Sequence, residues 1–318
     1  MAEPRPRRVI ALEEHYSDPE IEARIGVAES SEVRARLDDI GALRLQAMDE
    51  AGIDLQILSH RAPSTQRMDA ESAVALARRA NDWLHQAVLA HPDRFAGFAA
   101  LPTPDPKAAA GELERAVTKL GFKGAMVHGL TNGLFLDDKR FWPIFERAQA
   151  LDVPLYIHPA MPHQAVVDSY YKDYAKDFPI LLRAAWGFTV EAATQGIRLV
   201  LSGVLDAYPG TRIILGHLGE SLPFSLWRID DTLTGEGQPK DWFRDRFCRH
   251  FYITTSGNFS NPALLCCVME MGIDRIMFSV DYPFVRNRQA MEWMKTVPLC
   301  AADKEKMFCR NAELLFRL

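Results

Sequence analysis

No apolar run in this chain approaches the roughly 20 residues that span a bilayer, which argues against a membrane partner. Basic charge is not in excess either. Its 37 Lys and Arg stand against 42 Asp and Glu, a formal net charge of −5. That balance argues against a broad electrostatic surface for nucleic acid or anionic lipid. Cysteine is scarce, five in 318 residues, with no CxxC spacing. Reduced thiols in a cytoplasmic protein are the simplest reading. The opening stretch from Met1 to Arg8 is basic, but the apolar residues after it are cut short by Glu13, Glu14 and His15. No signal peptide is therefore expected. No internal repeat, low-complexity tract or linker is visible, so residues 1–318 are expected to form one domain.

Hydrophobic residues make up 48% of the chain, enough for a large core. Eight runs read as strands: 9–15, 54–59, 95–101, 124–128, 154–158, 212–217, 251–256 and 275–281. They are largely apolar rather than alternating, as parallel strands buried on both faces should be. Helical spacing of apolar residues appears over 33–51, 70–91, 106–120, 139–151, 260–271 and 288–297. Eight alternating units predict an α/β fold of the (β/α)8 TIM-barrel type. An open doubly wound sheet is the alternative, weakened because no glycine-rich phosphate loop follows the first strand. Two helical insertions follow the fifth and sixth strands, over 159–211 and 219–250. Long insertions at that edge commonly form lids or substrate walls.

Polar residues close several of these strands. Glu13 and His15 stand two apart at the end of the first, so they share a face. His158, His217 and Asp281 end the fifth, sixth and eighth. In a barrel the carboxyl ends of the strands carry the active site. Carboxylate and imidazole together suit a divalent ion, Zn or Mn. Each residue also has a plainer reading. A lone strand-end histidine such as His128 is commonly a rim or core residue, and Asp281 before Tyr282-Pro283 can be a turn former. The joint pattern at four strand ends favours a metal or catalytic site.

Several segments carry a resemblance. They are Ala11-Leu12-Glu13-Glu14-His15, Ala77 to Asp82, Pro92 to Pro102 and Tyr156-Ile157-His158-Pro159. Further on they are Ile214 to Glu220, Ile253 to Asn258 and Phe278 to Phe284. Through them the sequence resembles the amidohydrolase superfamily over nearly its whole length. The likeness is to the branch of aromatic-acid decarboxylases, which includes γ-resorcylate, 2,3-dihydroxybenzoate and 5-carboxyvanillate decarboxylases and the aminocarboxymuconate semialdehyde decarboxylase group. The resemblance implies the metal-dependent-hydrolase type of barrel, with Glu13, His15, His158 and Asp281 as ligands of one divalent ion and no organic cofactor. It implies that His217 and Glu220 form a pair beside the substrate and that Arg228 is tied to that site. Hydrolytic relatives usually open with His-x-His. Glu13 in place of the first His is the decarboxylase pattern.

On that resemblance the expected reaction is non-oxidative, reversible decarboxylation of an ortho-hydroxybenzoate, with Asp281 giving the proton to the ring carbon. Arg228 would fix Glu220 or Asp230, or else touch substrate. The partner would be a small aromatic acid, and the assembly a homodimer or homotetramer. Departures from the γ-resorcylate pattern mark further candidates for substrate contact. His128 stands where Asn is common, and His60-Arg61 stands where relatives often carry uncharged residues. Arg61 has two readings, a second substrate anion site or a surface salt bridge. Trp186, Phe188, Tyr282 and Phe284 line an aromatic pocket or belong to the core. A lactone or amide hydrolase on the same barrel, with Asp281 as base, is the main alternative. A hydratase or a non-catalytic binding protein is a third.

Overall fold

The computed structural model describes residues 6–26 and 29–318, so Met1–Arg5 of the basic opening stretch lie outside the described residues. The strands are β1 (Ile10–Tyr16), β2 (Leu55–His60), β3 (Phe95–Gly97), β4 (Ala99–Ala100), β5 (Ala125–His128), β6 (Leu155–His158), β7 (Ile213–Leu215), β8 (Phe251–Thr254) and β9 (Ile276–Met277). They pair in parallel and in chain order, β1 to β3 in one ladder and β4 to β9 in another. β3 and β4 are halves of the single expected run 95–101, parted at the buried Phe98. The nine segments therefore make eight staves. Between β9 and β1 the ladder shrinks to a parallel bridge, Leu12 to Ser279. Leu12 N–H donates to Phe278 O at 3.3 Å and His15 N–H to Tyr282 O at 2.6 Å across that seam. The wall closes as a (β/α)8 barrel, and the open-sheet alternative falls.

Two apolar layers account for the unbroken hydrophobic runs. Ile10, Leu12, Ile57, Phe98, Met126, Tyr156, Ile214 and Met277 pack in one cluster, the barrel interior. Their neighbours Ala11, Leu58, Val127, Ile157, Leu215 and Ile253 pack in another, beneath the helices. Parallel strands covered on both sides have no polar face to alternate with.

The helices follow the sequence with local exceptions. Ala70–Ala90 starts where the Asp69 side chain accepts from Ser72 N–H, and it buries Ala73, Leu76, Ala77, Ala80 and Leu84 at helical spacing. Its Asn81 accepts from Ala100 N–H at 2.8 Å and donates to Ala100 O at 2.9 Å, which satisfies the backbone where the third stave is broken. The expected helix over 33–51 is two helices, Ser31–Asp38 and Ala42–Ala51. Asp39 separates them, its carboxylate accepting from the N–H groups of Gly41 and Arg44. This side-chain competition for backbone donors ends helices.

The two insertions are helical, as expected. The first holds Pro179–Leu182, Gly187–Leu201 and Val204–Ala207 among its helices. The second insertion holds Leu222–Gly235 and Trp242–His250. Asp230 on the first of these accepts from the N–H groups of Phe243 and Arg244, at the start of the second.

Candidate metal centre

Glu13 reaches the barrel mouth through a break in strand periodicity. Ala11 pairs with Gln56 and Glu14 with Leu58, so β1 spends three steps against two on its neighbour. The extra residue makes a bulge, with Glu13 in the left-handed region at φ +58°. Simple alternation from Ile10 and Leu12, which face the interior, would turn Glu13 and His15 outward. The bulge shifts the parity and brings both to the mouth.

There the four expected ligands meet. One donor atom from each of Glu13, His15, His158 and Asp281 lies within 4.8 Å of the others. His158 Nε2 is 3.2 Å from Glu13 Oε1, and His15 Nε2 is 3.3 Å from Asp281 Oδ1. The remaining ring nitrogens are committed elsewhere. His158 Nδ1 lies 2.6 Å from the Pro159 carbonyl and must donate to it. His15 Nδ1 lies 3.3 Å from Ser59 Oγ. A neutral His158 would then aim its Nε2 lone pair at a carboxylate, and a cation between them removes that conflict. Glu13 Oε1 and His15 Nε2 are buried with no hydrogen-bond partner among the described residues. These donors fit a divalent ion, and two imidazoles with two carboxylates suit Zn or Mn alike.

Charge balance around the cup is unusual. Burial works against ionising Glu13, but His217, His158 and His15 outweigh it and hold the carboxyl below its usual range. Burial likewise opposes ionising Asp281. The neighbouring His15 and His217 rings overcome it and hold the group low. Burial also disfavours a charged His217, yet Glu220, Glu13 and Asp281 push that imidazole well above its ordinary value. His217 Nδ1 is 2.6 Å from Glu220 Oε1, and its Nε2 is 3.6 Å from Glu13 Oε1 and 3.9 Å from Asp281 Oδ2. His15 is held low, chiefly by burial.

The backbone is strained at the same residues. Glu13, His217, Glu220 and Asp281 all have φ between +50° and +72°. For side chains other than glycine such conformations cost on the order of 1 kcal/mol or more each and persist where surroundings enforce them. Gly216 is needed beside them, since a Cβ there would come within 2.6 Å of Glu13 Oε2.

Other candidates are placed less uniformly. His128 is buried, with Nδ1 3.2 Å from Gln66 Oε1 and its ring 5.2 Å from His158. Its Nε2 has no partner among the described residues, and burial drives its pKa well down. Phe284 packs 5.7 Å from the His15 ring, at the rim. Trp186 is half exposed at the start of the helix Gly187–Leu201.

His60 is committed to the backbone: its Nε2 accepts from Asp18 N–H and its Nδ1 contacts Arg61 O, both at 2.9 Å. The surface reading of Arg61 is corrected. The residue is 1% exposed, and its guanidinium binds Glu22 and Glu29, each at 2.7 Å. Arg228 is exposed and pairs with neither Glu220 nor Asp230, because the Asp230 carboxylate is taken up by the next helix.

Four polar residues were not anticipated. The Tyr156 hydroxyl donates to Glu13 Oε2 from below and lies 2.7 Å from Thr254 Oγ1. Tyr156 stands two residues before His158, so strand parity alone could have flagged it. Glu191, 5% exposed, accepts from Ala160 N–H at 3.4 Å. Glu14 is buried behind the site.

Known proteins align with this chain over almost its full length. The family model described as "Amidohydrolase" matches residues 19–318, leaving the Glu13-x-His15 pair just outside. A γ-resorcylate decarboxylase from Polaromonas sp. is 42% identical over 97% of this chain and 98% of its own. The crystal structure of a dihydroxybenzoic acid decarboxylase from Polaromonas sp., with manganese and the inhibitor 2-nitroresorcinol, superposes with a TM-score of 0.91 at 42% identity. It covers 98% of this chain and 97% of that one. A 2,6-dihydroxybenzoate decarboxylase crystallised with 2,6-dihydroxybenzoate gives a TM-score of 0.90 at 40% identity, covering 98% and 99%.

Proposed function

This chain belongs to the amidohydrolase family, and from that premise we propose that it is a manganese-dependent decarboxylase of ortho-hydroxybenzoates of the 2,6-dihydroxybenzoate type. The observation that carries the reading is the buried cup of Glu13, His15, His158 and Asp281, whose donor atoms converge without satisfying one another. The hydrolase alternative has less support, since the near relatives are named decarboxylases.

On this reading those four residues hold the ion. When bound, it would supply positive charge that stabilises the substrate's carboxylate and phenolic oxygen. The protein does the rest. His217, kept charged by Glu13, Glu220 and Asp281, is the proton store of the site. Its Nε2 stands 3.9 Å from Asp281 Oδ2, so the ring must move toward that carboxyl to pass it a proton once the anionic substrate raises its affinity for one. Asp281 then protonates the ring carbon bearing the carboxylate. The carbon–carbon bond breaks, its electron pair returns to the ring, and CO2 leaves. Glu220 holds His217 in place through Nδ1. His128 and Phe284 flank the ring. The same steps reversed would carboxylate a phenol.

The chain acts as one domain in a homodimer or homotetramer. Phe224 and Trp227 are 83% and 67% exposed beside Arg228, and Tyr170, Tyr174, Phe178 and Ile180 are exposed on the other insertion. That much aromatic surface favours burial against another copy. No helix among the described residues is long and apolar enough to cross a membrane. With five free cysteines, a cytoplasmic setting is the reading we adopt.

The test is a panel of ortho-hydroxybenzoates and lactones given to the manganese-loaded protein. CO2 release from 2,6-dihydroxybenzoate supports the proposal. Acid release from lactones without CO2 would favour the hydrolase.

A further inference from the structure

The seam between β9 and β1 lacks a regular ladder, because Glu13 is bulged and Asp281 is left-handed at φ +72°. Backbone donors around Asp281 therefore need other acceptors. Glu14 provides them. Its Oε1 accepts from Val280 N–H at 2.9 Å and its Oε2 from Tyr282 N–H at 3.1 Å, the residues on either side of Asp281. Gln56 Nε2 backs the same carboxylate at 3.5 Å, and Arg44 Nη1 donates to Gln56 Oε1 at 3.2 Å. The other end of the Arg44 guanidinium donates to the carbonyl of His15, and the group lies 4.9 Å over the Tyr282 ring. Arg44, Gln56 and Glu14 are all fully buried.

We propose that Glu14 is a positioning residue, which with Gln56 and Arg44 clamps the backbone around Asp281 and His15 and so sets the geometry of the cup. None of the three side chains faces substrate. Their target is the main chain of two of the four converging residues. Isosteric replacement of Glu14 by Gln leaves one acceptor oxygen and turns an amide N–H₂ toward a backbone N–H. One of the two amides flanking Asp281 then loses its partner. The strained loop relaxes, and Asp281 leaves its place. The part of this inference that concerns turnover rests on the decarboxylase reading; the part that concerns metal binding does not.

The experiment is a titration of metal-free protein with manganese(II) alone, followed by electron paramagnetic resonance, for the parent and Glu14→Gln. With the variant folded by circular dichroism, the manganese Kd should rise roughly 10- to 100-fold, as for other residues that support metal ligands indirectly. At saturating manganese, kcat should fall while KM for the aromatic acid changes little, a split that general destabilisation would not produce. A folded Glu14→Gln with a manganese Kd within about twofold of the parent would overturn the proposal. If that variant does not fold, Gln56→Met decides: a Kd raised about threefold or more supports the clamp, and an unchanged Kd overturns it. If the parent binds manganese but releases no CO2 from any acid, the proposed reaction has failed, and the manganese titrations still judge the clamp.

Discussion

Replacing Glu13 by glutamine should lower the pKa of His217. The carboxylate Oε1 sits 3.6 Å from His217 Nε2. At an effective dielectric constant near 20, that separation is worth about 5 kcal/mol. Glu220 at 2.6 Å and Asp281 at 3.9 Å remain and keep part of the shift. A fall smaller than the full loss of all three carboxylates would give is therefore expected. The sign fixes the pH window. Glu13 favours the charged imidazole and is itself held ionised, so the stability their pairing adds is full between the unfolded carboxyl value near 4.5 and the unfolded histidine value near 6.5. It fades as pH climbs through the raised folded value. The assay is a nuclear magnetic resonance titration of the His217 ring in metal-free protein, assigned with His217→Gln. An unchanged His217 titration in Glu13→Gln would refute the claim that Glu13 and His217 are electrostatically linked. In the same variant the manganese Kd should rise by roughly 100-fold or more, since an anionic donor becomes a neutral one.

Other changes have equally definite outcomes. Asp281→Asn should fold normally by circular dichroism and lose turnover by roughly 100-fold or more; retained CO2 release would remove its role as proton donor. Tyr156→Phe takes away the hydroxyl that orients Glu13 Oε2 and should weaken manganese binding by roughly 10- to 100-fold, read by calorimetry. Burial raises Glu191 to about 8 from 4.5. Between those values the unfolded chain ionises the group and the folded one does not, so stability drains away as pH rises. Glu191→Gln removes that loss, and its Tm advantage over the parent should grow from about pH 4.5 to pH 8. An advantage that stays flat with pH would count against a neutral Glu191.

The barrel and the meeting of four side chains at its mouth were legible because both rest on simple regularities. Runs of apolar residues mark doubly covered parallel strands, and polar residues at their carboxyl ends stand out against them. His158 and Asp281 could be placed that way from one dimension of information. The bulge at Glu13 could not, because it depends on the register of β1 against β2. The alternation rule correctly put Glu13 and His15 on one face but gave no account of why that face is the inner one.

Arg61 shows a different failure. A charged residue after a strand reads as exposed, and only the fold supplies the two carboxylates, Glu22 and Glu29, that let it be buried. Arg228 shows the reverse. Its place in a motif gave it a role at the site, yet its helix turns it to solvent. Glu14, between Glu13 and His15, is not singled out by any spacing in the sequence. Its partners lie more than 260 residues away, at the seam where the barrel closes.

The most direct test is to strip the protein with a chelator and return manganese in steps, following CO2 release from 2,6-dihydroxybenzoate at each addition. Release should be absent at the start and rise in proportion to manganese until one ion is bound per chain. Full release from the stripped protein, or a fully loaded protein that releases none, would contradict the account.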